Sequence, residues 1–205
     1  MDQLTEEWFN ARLGKVTASK VFEIMSKTKT GYGAGRKKYL ADLICQRITG
    51  KREESYTNAS MKRGTDLEPV ARFAYEVATG NYVTEVGLID HQTISGFAAS
   101  PDGLVGDDGL IEIKCPNTAT HLDFLESGIP DGKYQWQMLC QMACAKRNWC
   151  DFVSYDDRTG AGLDIKIVRF HRDDTRIAAM EQEVSLFLDE LDAKVGFFTQ
   201  LRDRK

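Results

Sequence analysis

The sequence has no apolar run near the roughly 18 residues of a membrane span, and its acidic start, Met1-Asp2-Gln3, lacks the basic segment that opens a signal peptide. A cytoplasmic protein without a membrane partner is therefore expected. Five cysteines, at 45, 115, 140, 144 and 150, make an odd set with no Cys-x-x-Cys pair, and the histidines at 91, 121 and 171 add no compact ligand group. This pattern speaks for a reducing compartment and against a zinc or iron–sulfur centre. Cys140 and Cys144 share a helix face and read as buried apolar thiols. Glycines at 31, 33 and 35 precede Arg36, Lys37 and Lys38, yet no Gly-Lys-Ser/Thr follows a strand, so this is not a P-loop.

Excess positive charge is also missing, since the net charge is −4. Its distribution is uneven. Residues 1–63 hold 13 Lys/Arg against 7 Asp/Glu, whereas residues 64–205 hold 14 against 24. A basic half attracts a polyanion and an acidic half collects cations, although charge runs of this kind also serve as plain solvated faces. With 205 residues, 42% of them hydrophobic and 28% charged, the chain suits one globular domain over 1–205.

What is present is organised around Ser100-Pro101-Asp102-Gly103-Leu104-Val105 and Leu110-Ile111-Glu112-Ile113-Lys114-Cys115, separated by Gly106-Asp107-Asp108-Gly109. Two β-branched runs around a Gly/Asp cluster predict a tight hairpin. Alternate strand residues share a face, so Glu112 and Lys114 point together while Ile111, Ile113 and Cys115 point to an apolar side. Charges on such a strand cost desolvation energy unless they meet water, a metal or a charged ligand. Asp102 adds a second carboxylate at the hairpin mouth. Two carboxylates and a lysine suit metal-assisted phosphodiester hydrolysis, with hard oxygens for Mg²⁺ and an ammonium to orient water and offset phosphate charge. The alternative is a surface hairpin with a cross-face ion pair; Pro101-Asp102 and the apolar alternation favour the catalytic reading.

Around this hairpin, helices are expected at 5–13, 18–26, 36–49, 65–80, 118–127, 131–147 and from about 173, with strands at 82–90, 95–100, 149–156 and 163–171. Val21, Phe22 and Met25 are expected to face inward, as are Val70, Phe73, Ala74 and Val77. Arg12, Gly14, Thr17 and Ser19 place a guanidinium, flexible backbone and a helix start together, which fits either a phosphate cradle or simple caps. Residues 27–38 read as a mobile DNA-contacting loop or an ordinary surface loop. Thr65 and Glu68 match a capping box. Tyr134, Gln137 and Gln141 form a polar stripe on a helix otherwise rich in Met, Leu and Cys. Ile177, Met180, Val184, Phe187, Leu188, Leu191 and Val195 make the final helix amphipathic, read as packing on the sheet.

These residues resemble the phage lambda-type exonucleases, the YqaJ-like viral recombinase nucleases of the PD-(D/E)xK superfamily. The resemblance rests on Trp8 to Ser19, Gly64 to Glu68, Ser100 to Leu104, Glu112 to Pro116 and the Tyr134 to Gln137 stretch, in that order. It implies an α/β restriction-endonuclease-like core, a mixed central β-sheet flanked by helices, and Mg²⁺-dependent 5′ to 3′ digestion of one strand at duplex DNA ends. Carried onto matching positions, Asp102, Glu112, the main-chain carbonyl of Ile113 and Glu68 would bind two metal ions, for which Mn²⁺ can substitute. Lys114 would be the catalytic lysine, with Gln137 and Tyr134 beside the water and scissile nucleotide. Arg12, Thr17, Ser19 and Ser100 would hold the 5′-phosphate. A homotrimeric ring and a single-strand annealing protein as partner are also implied. Other readings are a related PD-(D/E)xK endonuclease, which would need a base-reading element, and a non-catalytic DNA-binding recombination accessory protein.

Overall fold

The computed structural model describes residues 1–29, 31–52 and 58–204. The chain opens with α1 (Glu6–Arg12), β1 (Val16–Thr17), a 3-10 turn and α2 (Val21–Met25). A hairpin of β2 (Lys27–Thr28) and β3 (Gly31–Tyr32) leads to α3 (Ala34–Thr49) and α4 (Ala59–Thr79). Five strands follow: β4 (Val83–Thr84), β5 (Ile89–Asp90), β6 (Phe97–Ala99), β7 (Gly103–Val105) and β8 (Gly109–Lys114). Helices α5 (Thr118–Ser127) and α6 (Gly132–Ala145), strands β9 (Trp149–Tyr155) and β10 (Ile165–His171), and α7 (Asp174–Asp203) complete it. Side-chain caps set several of the helix starts: Asn117 accepts from Thr120 N–H at 2.9 Å and Asp173 from Arg176 N–H at 3.0 Å.

The main sheet runs β10-β9-β8-β7-β4, with β8 parallel to β9 and antiparallel to β7. The mixed central sheet flanked by helices that the resemblance implies is thus present. The two faces of β8 are different. Ile111 and Ile113 pack with Ala71 and Tyr75 of α4, while Leu110 joins the larger core formed by α2, α3, α6 and α7. Glu112 lies between the same strand's apolar residues on the α6 side and is fully buried. A smaller sheet, β1-β6-β5, brings the N-terminal segment beside the start of the hairpin.

Several expectations need correction. No helix begins at Thr65: α4 starts at Asn58, whose side chain accepts from Met61 N–H at 2.8 Å, so Thr65 and Glu68 form no capping box. The buried face of α4 is also rotated. Val70, Phe73 and Val77 are exposed, and Ala71 and Tyr75 face the sheet. On α2, Ile24 is buried where Phe22 was expected. Residues 82–90 form two short strands in different sheets because the N-terminus crosses them; Gln3 Nε2 donates to Val86 O at 2.9 Å and Pro101 O at 2.8 Å. Helix α7 buries the expected residues except Val195, which is only partly buried, and packs chiefly on α3, α2 and α6 rather than on the sheet. Within the basic loop, Thr30 lies outside the described residues. Lys27 and Tyr32 beside it bond Glu183 of α7 at 2.5 Å and 2.8 Å, so this part is a pinned hairpin.

Just past β9, buried Asp156 ties three elements together. It accepts from Arg158 Nε at 2.7 Å, Thr118 Oγ1 at 2.7 Å and Arg63 Nη2 at 2.9 Å, and Arg63 also pairs with Asp157. Burial alone would raise its pKa, but the bonds from Arg158 and Thr118 outweigh burial and hold it well below the ordinary carboxylate range. A carboxylate depressed in the folded state stabilises fully above its unfolded value, about 3.9, and less as pH falls below that. Urea midpoints of Asp156→Asn should therefore lie below those of the parent at neutral pH and fall less between about pH 4 and pH 2.

Candidate active site

The hairpin delivers three charged groups to one place. Asp102 immediately precedes β7, and its Oδ2 accepts Ile113 N–H at 2.6 Å. This bond fixes the carboxylate against the opposite strand and beside the Ile113 peptide. Glu112 faces α6, where Gln137 Nε2 donates to its Oε1 at 2.6 Å and Gln141 Nε2 to its Oε2 at 2.5 Å. The Lys114 ammonium pairs with the same Oε1. Two amides and an ammonium therefore compensate a carboxylate with no solvent exposure. Gln137 and Gln141 lie four apart on α6, which is why one helix face can hold both oxygens of one carboxylate.

The remaining groups arrive from other elements. Helix α4 crosses the end of β8 closely enough that a Cβ at Gly64 would sit 3.7 Å from the Cys115 carbonyl. Glu68, one turn on, comes within electrostatic reach of Glu112, Lys114 and Asp102 but is hydrogen-bonded to Arg72 at 3.3 Å. Tyr134 lies on α6 with the Lys114 ammonium 5.2 Å from its ring centroid. Burial first, then the neighbouring Glu112 charge, pushes the Asp102 carboxyl well above its ordinary range, and burial likewise raises Glu68. For Lys114 burial acts downward, but Glu112 and Asp102 outweigh it and keep the ammonium charged.

These donors fit a hard divalent cation. They are oxygens only: the two carboxylates and the adjacent Ile113 carbonyl, with Glu68 nearby. Among the described residues no three His, Cys, Asp or Glu side chains form a ready cage. A partial oxygen set of this kind would be completed by water around a hard cation. His121, by contrast, is buried with both nitrogens bonded, to Ser154 Oγ and Leu163 O at 2.7 Å each, and is structural. Buried Cys140 and Cys144 are free thiols, as their helix face suggests.

A separate cleft of about 480 Å³ collects Arg12, Thr17 and Ser19 with Lys15, Lys38 and Arg52. Ser100 connects it to the hairpin. Its Oγ accepts from Arg12 Nη1 at 3.2 Å and from Trp8 Nε1 at 2.9 Å. A serine hydroxyl has two acceptor sites and one proton, so with both acceptor sites filled the proton must point elsewhere, where an anion can take it. Trp8 also lies under the Arg12 guanidinium, 4.1 Å from the ring centroid. Thr17 lines the same cleft but is buried, and its N–H donates to Tyr39 Oη at 3.1 Å. Trp8 is the group that residue-by-residue reading misses, as its partner is 92 positions away.

Comparison with known proteins identifies the family. Residues 7–148 match the model of the YqaJ-like viral recombinase domain. The structure is similar to that of an alkaline exonuclease, LHK-Exo, from Laribacter hongkongensis, with 56% sequence identity and a TM-score of 0.92, covering 98% of this chain and 99% of that one. A second structure of LHK-Exo, in complex with dAMP, matches equally well. A phage-related exonuclease from Haemophilus somnus 129PT shares the fold, with a TM-score of 0.70 at 17% identity over 93% of this chain and 99% of that one. No curated protein matches. The mixed sheet is thus of the restriction-endonuclease-like type, and the chain belongs to the YqaJ-like viral recombinase family of lambda-type exonucleases and is a nuclease.

Proposed function

We propose that residues 1–205 form a single nuclease domain that digests one strand of duplex DNA from its 5′ end, using Mg²⁺ or, as a substitute, Mn²⁺, and leaves 3′ single-stranded overhangs. The observation that carries this reading is the buried Glu112 carboxylate, bonded by Gln137 and Gln141 and paired with Lys114 beside Asp102. Asp102, Glu112 and the Ile113 carbonyl would hold one ion and Glu68 would help hold a second. A bound divalent cation supplies Lewis acidity and a more acidic water. Lys114 orients the attacking water and offsets charge on the scissile phosphate, Gln137 keeps Glu112 in place, and Tyr134 flanks the scissile nucleotide. Arg12 and Ser100, with Ser19 and Thr17 in the same cleft, bind the terminal phosphate, which sets polarity. That LHK-Exo forms a complex with dAMP supports a deoxyribonucleotide ligand for this chain as well.

The decisive test is a panel of linear duplexes with 5′-phosphate, 5′-hydroxyl or blocked ends, plus closed circles, each with and without Mg²⁺. Mg²⁺-dependent loss of linear duplex, fastest from 5′-phosphate ends, is expected. Cut circles would mark an endonuclease, and binding without hydrolysis an accessory protein. The 3′ overhangs would pass to a single-strand annealing protein in recombination. We also propose a homotrimeric ring, since one 23.1 kDa subunit is too small to enclose a duplex and cyclic heterologous contacts close without a free interface. Light scattering should give about three times the chain mass. A monomer whose digestion stops when competitor DNA is added would defeat the ring and leave the hairpin chemistry standing.

A further inference from the structure

A second cavity, of about 240 Å³, adjoins the carboxylate site at Lys114 and Tyr134 and is separate from the Arg12 cleft. Its walls are Phe124, Phe152, Tyr134 and Pro130, with Lys114 and Ile129 at the rim. The three rings form one cluster: Phe124 meets Phe152 edge-on at 5.1 Å, and Tyr134 lies 5.4 Å from Phe152. Ile129 is 68% exposed at this mouth. Lys133 adds a second ammonium, 4.7 Å from the Tyr134 ring centroid. Aromatic walls with two ammonium groups at Tyr134 suit a nucleotide, with a flat base to stack and phosphate charge to offset. Asp123 and Asp131, also lining the cavity, can accept from base amino groups.

The order of contacts indicates which base would enter. Arg12 bonds Ser100, which precedes Asp102; Asp102 bonds Ile113; Lys114 follows and lines the cavity. With the terminal phosphate at Arg12 and the scissile phosphate at the hairpin carboxylates and Lys114, the first nucleotide spans that interval. We infer that this cavity receives the nucleobase immediately 3′ of the scissile phosphate, unstacked from its neighbours, and that Lys133 meets the phosphate beyond it. The inference rests on the exonuclease reading above. It gives the site a way to register the strand after each cut, because the base that occupies the cavity becomes the first base of the next cycle.

The test is the first-turnover release of the terminal mononucleotide from 5′-phosphorylated duplexes that are intact, abasic at the second nucleotide, or abasic at the sixth. An abasic second nucleotide weakens end pairing and would by itself speed an enzyme that only needs a frayed end. Loss of the base contact should instead slow the parent protein about 5- to 150-fold, the range for one stacked base, with no slowing from the sixth position. Thr120 lines the cavity from the exposed side of α5, so Thr120→Trp fills it. That variant should cut the intact duplex as slowly as the parent cuts the second-position substrate, and lose sensitivity to the abasic site. Ile129→Ala, which alters only the rim, gives the same comparison with a smaller drop should the tryptophan variant not fold. An unchanged parent rate on the second-position substrate overturns the inference, as does full additivity of abasic site and variant. If the parent digests no intact duplex with Mg²⁺, the exonuclease reading itself fails, a distinct outcome.

Discussion

Lys114→Ala is expected to cleave DNA on the order of 10²–10⁴ times more slowly than the parent protein, the usual contribution of a positioned acid–base group. The effect should appear in the single-turnover rate, with the dissociation constant for a 5′-phosphorylated duplex little changed, because Lys114 is one cation and the separate cleft supplies Arg12, Lys15, Lys38 and Arg52. The fold should survive. Glu112 keeps its amide donors Gln137 and Gln141 after the ammonium is gone, so the buried carboxylate is not left unpartnered. Asp102→Asn and Glu112→Gln should lower turnover as well, and in addition weaken its dependence on metal concentration. A Lys114→Ala protein with the parent's single-turnover rate would remove Lys114 from the reaction. A protein that lost its thermal transition would show only that the ammonium is needed to bury Glu112, and Lys114→Gln, which keeps a donor but no charge, would then carry the measurement.

The hairpin was legible because its signals are local and agree with one another. Turn residues at 106–109 and period-two alternation at 110–115 place Glu112 and Lys114 on one face before any packing is known. The burial of Glu112 was not legible in the same way, since it depends on α6 lying across β8 with Gln137 and Gln141 on the contacting side. Helix α4 shows where local rules mislead. Thr65-Asp66-Leu67-Glu68-Pro69 has the form of a helix start, and Asn58 seven residues earlier satisfies the same capping rule. The chain has two apolar stripes on that helix, and periodicity cannot choose between them. Packing does: Ala71 is small enough to approach the sheet, and the Tyr75 hydroxyl finds Asp151 at 2.8 Å. The other stripe, Val70, Phe73 and Val77, is left outside. The Arg12 cluster was readable as a phosphate cradle or as caps, and the undecided point lay in Ser100 and Trp8, contacts that span 88 and 92 positions.

Arg12→Ala should abolish discrimination between 5′-phosphate and 5′-hydroxyl ends, a ratio set at about 10- to 100-fold by the worth of charge-assisted hydrogen bonds. Burial lowers the pKa of the Arg12 guanidinium, yet it remains charged, and its restrained position over Trp8 and against Ser100 reduces the rotamer freedom lost on binding. The loss should fall on the phosphorylated substrate alone, because a 5′-hydroxyl end gains little from the guanidinium in the parent. Arg12→Lys distinguishes charge from geometry: an ammonium supplies the charge without the planar fork, so it should recover part of the ratio and leave the rest missing. Ser100→Ala removes the hydroxyl proton left over after Trp8 and Arg12 occupy its acceptor sites, and should lower the same ratio by a smaller factor. Equal slowing of Arg12→Ala on both ends would make Arg12 structural, a tie between α1 and the strand preceding Asp102, and the cleft would then be a helix junction with no part in reading the DNA end.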